Sequence, residues 1–184
     1  MKKIAFALCL SAFLWSCSQS PARRPLSYSE GTFLKESVER NKKMVATEET
    51  KIDSIIKSET SNTYYPSQKG YYYTYLSARN TQDTLRPKKG DIAYFEYEVA
   101  DLDGNVIYTQ LELRPQEYFV DRDQTIMMGL RHGIKLMRKN EKVKFLFPSH
   151  MGYGYHGDKR RIGHNEPLIC TVTLTDIKPD LSQN

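Results

Sequence analysis

A chain of 184 residues that is 39% hydrophobic and 27% charged has room for one globular domain and an appendage, but not for two full domains. Its formal net charge of +5 includes Lys2 and Lys3, which sit in a segment read below as a removable leader, so the mature chain carries about +3. A bias that weak gives no case for nucleic acid as a partner.

Lys2 and Lys3 precede an apolar run from Ile4 through Trp15 and then small Ser16, the layout of a secretory signal peptide over residues 1–16. The run is too short to span a bilayer permanently. Leu14-Trp15-Ser16-Cys17 resembles the bacterial lipobox, in which the cysteine thiol receives diacylglycerol and becomes the first residue after cleavage, so Cys17 is the expected lipidation site. Cys9 then leaves with the leader, Cys170 is the one free thiol remaining, and no intramolecular disulfide is expected. Ser18 and Gln19 follow, not the aspartate associated with inner-membrane retention. The expected location is a lipid anchor in the cell envelope, on the outer membrane and facing the periplasm.

Residues 17–29 are rich in Ser, Pro and Arg with little to bury, and read as a flexible tether. Residues 30–60 read as a helical arm: Leu34, Val38, Val45, Ile52, Ile55 and Ile56 recur at helical intervals among Lys and Glu, with no proline. The pattern suggests one interrupted helix or two short ones, the second starting at Thr47-Glu48-Glu49, where a hydroxyl cap and early carboxylates suit a helix N-terminus. The arm serves as a spacer, as a pad on the main domain, or as a surface for a homodimer.

From residue 69 to 178 the character is that of a folded domain. Tyr71 to Leu76 is an aromatic strand and Asp91 to Val99 alternates apolar with polar. Asp101-Leu102-Asp103-Gly104-Asn105 is a hairpin turn leading to a strand from Val106 to Leu111. Ile126, Met127, Leu130, Ile134 and Met137 mark one helix face, beginning after Asp123-Gln124-Thr125 and ending near Asn140. Glu141 to Phe147 and Leu168 to Ile177 are two further strands. Several strands with one interior helix predict an α+β domain, an antiparallel half-barrel sheet wrapped around one short helix.

The order and spacing of Pro87-Lys88-Lys89-Gly90-Asp91, Tyr97, Asp103-Gly104, Gly129-x-x-x-Gly133-x-x-x-Met137 and Pro148-x-x-x-x-Tyr153-Gly154 resemble the FK506-binding-protein (FKBP) type of peptidyl-prolyl cis-trans isomerase. The leader, Ala22-Arg23-Arg24-Pro25 and the charged arm together look like the gliding-motility-associated isomerase lipoproteins of the Bacteroidetes. The resemblance implies catalysis of X-Pro rotation in proline-containing segments of unfolded or envelope proteins, with no cofactor. It implies catalytic roles for Tyr153, as a hydroxyl donor, for Met127, through its backbone N–H, and for Tyr97. It implies a substrate pocket lined by Ile107, Tyr108, Phe119, Ile126, Leu130, Ile162 and Cys170.

The chain departs from the family pattern where Tyr108 replaces an aspartate, Leu130 a floor tryptophan, Cys170 a phenylalanine, and Glu117 an aromatic. The lost aspartate removes an acceptor that orients neighbouring donors. The rival functions are a binding module that holds proline-containing segments without catalysis, and a structural domain docked in an envelope machine. His150, His156, His164 and Cys170 fit no standard zinc spacing, so no metal is expected. Lys159-Arg160-Arg161 reads as a solvated basic loop that can also meet lipid phosphates or an acidic client.

Overall fold

The computed structural model describes residues 30–77 and 84–179, so the expected signal peptide, Cys17 and the tether lie outside the described residues. The chain divides into two units, Met1–Arg40 and Asn41–Asn184. The described part of the first is the opening stretch of helix α1 (Glu30–Ser58), with Phe33, Leu34 and Val38 exposed.

Helix α1 runs without the expected break. Thr47 does not cap a second helix; its hydroxyl donates to the Lys43 carbonyl at 2.9 Å, as Thr50 does to Ala46 and Ser54 to Thr50. Hydroxyls that satisfy themselves one turn back give the backbone no reason to leave the helix. Within the second unit, Ile52 is buried and so is Glu48, whose carboxylate accepts the Ser149 amide at 2.9 Å and the Ser149 hydroxyl at 2.7 Å.

Seven antiparallel strands follow: β1 (Tyr65–Pro66), β2 (Tyr72–Tyr75), β3 (Asp91–Ala100), β4 (Val106–Tyr108), β5 (Gln116–Phe119), β6 (Lys142–Phe147) and β7 (Leu168–Pro179). Their order is β1-β2-β6-β7-β3-β4, with β5 also paired to β3. β3 and β7 form the spine, in register from Asp91 opposite Pro179 to Ala100 opposite Ile169, with an irregularity at Tyr94/Phe95. β4 and β5 share the far edge of β3, one at each end.

Alternation sets the faces. Ala93, Phe95, Tyr97 and Val99 of β3 are buried, while Ile92, Tyr94 and Glu96 are half-exposed, the period-two signature of a sheet with one covered face. The β3–β4 turn closes as expected: Asp101 accepts the backbone N–H of Asp103 and of Asn105, and Gly104 takes φ 88°. Strand β4 is shorter than expected, because Thr109 and Glu112 form a capping box that starts a short helix, α2 (Gln110–Leu113).

The inner helix α3 (Met128–Ile134) covers the buried face, lined by Leu130 and Ile134. Gly129 and Gly133 explain its closeness to the sheet: a Cβ on Gly129 would sit 2.7 Å from the Phe147 ring, and one on Gly133 2.8 Å from that of Phe145. Those two rings stack at 5.3 Å with 5° between planes, forming the floor on which the helix lies. The helix stops well before Asn140, since Glu141 accepts the Arg138 amide at 2.8 Å and Asn140, at φ 65°, donates to the Leu174 carbonyl. Met137 is nonetheless buried, so the apolar face outlasts the helix that was expected to carry it.

Candidate functional site

Strand β3 supplies Tyr97, β4 supplies Ile107 and Tyr108, and β7 supplies Cys170, which stands opposite Val99 on one neighbour and Phe145 on the other. The α3 end supplies Ile126, Met127 and Leu130, and the segment between β6 and β7 supplies Tyr153 and Ile162. Tyr97, Met127, Leu130, Ile162 and Cys170 are buried in one apolar cluster, with Ile107, Tyr108, Ile126 and Tyr153 half-buried against it. Nine of the ten expected residues therefore come together.

Phe119 is the exception and corrects the expected lining. It pairs opposite Ile92, on the face of β3 away from the core, and the Arg122 guanidinium lies 6.0 Å from its ring centroid. Tyr118, paired opposite Ala93, points inward and is fully buried. One step along a strand exchanges the faces, so Tyr118 and Phe119 lie on opposite sides of β5.

The phenols differ in what holds them. Tyr108 donates its hydroxyl to Asp158 at 2.5 Å, and Arg161 lies 4.9 Å over its ring. The hydroxyls of Tyr97 and Tyr153, and the Met127 amide at the start of α3, have no hydrogen-bond partner among the described residues. Burial, and then the neighbouring Tyr153, Cys170 and Tyr108, push the Tyr97 hydroxyl up from its ordinary range. Burial, then Cys170, Asp158 and Tyr108, push up that of Tyr153. Both stay protonated at neutral pH and can donate. The Cys170 thiol is raised by burial alone, which makes it a packing group and not a nucleophile.

A cluster of this kind has no nucleophile and no acid–base pair. It offers an apolar cluster with three donors left over, suited to an uncharged group carrying a carbonyl. No group of three or more metal-capable side chains gathers among the described residues, and His164 Nδ1 pairs with the Tyr155 carbonyl.

Residues 83–175 match the model of the FKBP-type peptidyl-prolyl cis-trans isomerases. The chain belongs to this family. It is 29% identical over 114 residues to a probable FKBP-type peptidyl-prolyl cis-trans isomerase of Haemophilus influenzae, which covers 61% of the chain and 45% of that relative. It is 31% identical over 97 residues to FK506-binding protein 2 of Yarrowia lipolytica, covering 53% of the chain and 67% of the relative. The chain thus spans less than half the length of the Haemophilus protein. In fold it is similar to FkpA from Escherichia coli, with a TM-score of 0.59 and 22% identity, over 98% of this chain and 83% of that one.

Tyr108 is met by a carboxylate from elsewhere in the chain. Asp158 comes from the segment after β6 and reaches the Tyr108 hydroxyl across 50 residues. Sequence reading passed over Asp158, and it placed Arg161 only in a solvated basic loop. The available signal was Gly157-Asp158 two residues before Arg160, a turn-forming pair whose carboxylate can accept the amides that follow it.

Proposed function

We propose that this chain is a peptidyl-prolyl cis-trans isomerase acting on proline-containing segments of exported or envelope proteins. Rotation about an X-Pro amide faces a barrier of about 18–20 kcal/mol, because conjugation is lost, and takes tens to hundreds of seconds unaided. The twisted amide separates less charge than the planar one, so an apolar floor favours it over water, and the enzyme gains rate by that difference. Ile107, Ile126, Leu130, Ile162 and Cys170 provide the floor. The observation that carries the reading is the pair of unpartnered donors beside it, the Tyr153 hydroxyl and the Met127 amide, available to the rotated carbonyl.

The test is exchange NMR on an X-Pro peptide with the full chain. Tyr153→Phe is expected to lower kcat/KM about tenfold, the equivalent of one hydrogen bond of ~1.4 kcal/mol in the transition state. Ile126→Ala is expected to lower it several-fold by opening the floor. Unchanged rates in both variants would remove these residues from the site. Peptide binding without acceleration by the wild-type chain would favour a binding module that holds such segments.

The proposal extends to place and process. The lipobox-like Leu14-Trp15-Ser16-Cys17 supports a lipid anchor on Cys17 in the outer membrane, checked by loss of membrane fractionation in Cys17→Ser. The narrower resemblance supports service to a gliding-motility apparatus, checked by the motility of a strain lacking the gene. The exposed Leu34 and Val38 on α1 support a homodimer through the arm, checked by sedimentation of Leu34→Glu.

A further inference from the structure

Asp158 accepts four hydrogen bonds, and they fall into two sets. One oxygen, Oδ1, accepts the backbone N–H groups of Arg160 at 2.8 Å, Arg161 at 3.0 Å and Ile162 at 2.9 Å. The other, Oδ2, accepts the Tyr108 hydroxyl. One side chain therefore shapes the tip of the β6–β7 segment and ties that tip to β4.

Arg161 makes the second tie. Its Nη1 donates to the Ile107 carbonyl at 2.8 Å, its Nη2 to Glu112 at 2.8 Å, and its guanidinium covers the Tyr108 ring. Glu112 is held in turn by the capping box of α2. Tyr108 is thus fixed at its hydroxyl and over its face by residues that lie close together in the loop. Ile162, whose amide is bound by Asp158, is 4% exposed in the apolar cluster.

We propose that Asp158 and Arg161 are positioning residues, a clamp that holds the Tyr153–Ile162 loop against β4 and keeps Tyr108 from donating to substrate. Of the three phenols, the clamp consumes one donor and leaves those of Tyr97 and Tyr153 free. It also builds one wall of the pocket from a loop that has no regular strand to hold it. The functional consequence rests on the isomerase reading above, whereas the loop's attachment does not.

The test measures both with the full chain, using Asp158→Ala, Tyr108→Phe, Arg161→Lys and the Tyr108→Phe/Asp158→Ala double variant. Amide hydrogen exchange at residues 158–163 should rise about tenfold in Asp158→Ala, the factor that a lost charge-assisted hydrogen bond implies. It should rise less in Tyr108→Phe, which removes only one oxygen, while the amides of β6 and β7 stay unchanged. The double variant should be no worse than Asp158→Ala, since the two changes break one link. On an X-Pro peptide the loss should fall mainly on KM, with kcat held within about threefold because the Tyr153 donor is untouched. Arg161→Lys should keep the charge yet loosen the loop, because lysine cannot reach the Ile107 carbonyl and Glu112 together. Unchanged loop exchange in Tyr108→Phe, or additive effects in the double variant, would overturn the clamp. An inactive wild type would overturn the isomerase reading alone, leaving exchange to decide the clamp.

Discussion

The segment between β6 and β7 is held by one carboxylate at its root and another at its tip, and the two work in opposite surroundings. At its root, Glu48 of α1 is 5% exposed and takes both donors of Ser149. At its tip, Asp158 is half-exposed and shares its oxygens among four donors. The root bonds are buried, and their loss leaves polar groups stranded in an apolar setting, so they bear on whether the unit folds. The tip bonds compete with water, so they bear on how well a loop is ordered once folding is done.

The largest effect is expected from Glu48→Ala, which strands the amide and hydroxyl of Ser149. A loss of about 2–4 kcal/mol, read from a denaturant midpoint at constant slope, separates the root from the tip. A shift under half a kcal/mol would show that the root bond is solvated after all.

Gly157→Ala comes next. Gly157 sits at φ 61°, and a Cβ there would lie 2.3 Å from the Ile162 carbonyl oxygen. The loop must open to admit it, at a cost of about 1–3 kcal/mol confined to residues 154–165. Exchange protection should vanish there while β6 keeps its own; a global loss would mean that the tip is part of the folding unit.

The smallest effect is expected from pH. Burial alone would raise the Asp158 carboxyl, but bonds from Tyr108 and the amides of Arg160, Ile162 and Arg161 more than offset it and hold the group below its ordinary range. A carboxyl lowered on folding stabilises the loop above its unfolded value, near 3.9, and that contribution fades as pH falls through the lower folded value. NMR shifts of Ile162 should therefore be flat from neutrality to about pH 5 and move only below roughly pH 4. Movement above pH 5 would assign the tip to another titrating group.

The same contrast explains what the sequence disclosed. The α+β domain was legible because the strands from Asp91 and Leu168 alternate over most of their length and because one helix face, from Ile126 to Met137, stands among them. The arm was legible as helix but not as one helix, since Thr47 looks like a cap until its hydroxyl is seen turned back to Lys43. Most of the residues that the resemblance implies meet in one cluster, whereas Tyr118 and Phe119 stand side by side on opposite faces and only pairing with β3 decides which of them is buried. Glu48, and the tie from Asp158 to Tyr108, were beyond reach for a different reason. The partners lie 101 and 50 residues apart, and no local pattern records a contact of that span.

The thiol of Cys170 has a practical use. It is fully buried where β7 lies between β3 and β6, in one cluster with Tyr153 and Ile162, so a reagent in solvent meets it only when that packing opens. Its rate of modification, followed by peptide mapping, is a built-in clock for opening of the core. That clock should run faster in Glu48→Ala than in the parent chain, by the factor that the lost stability implies.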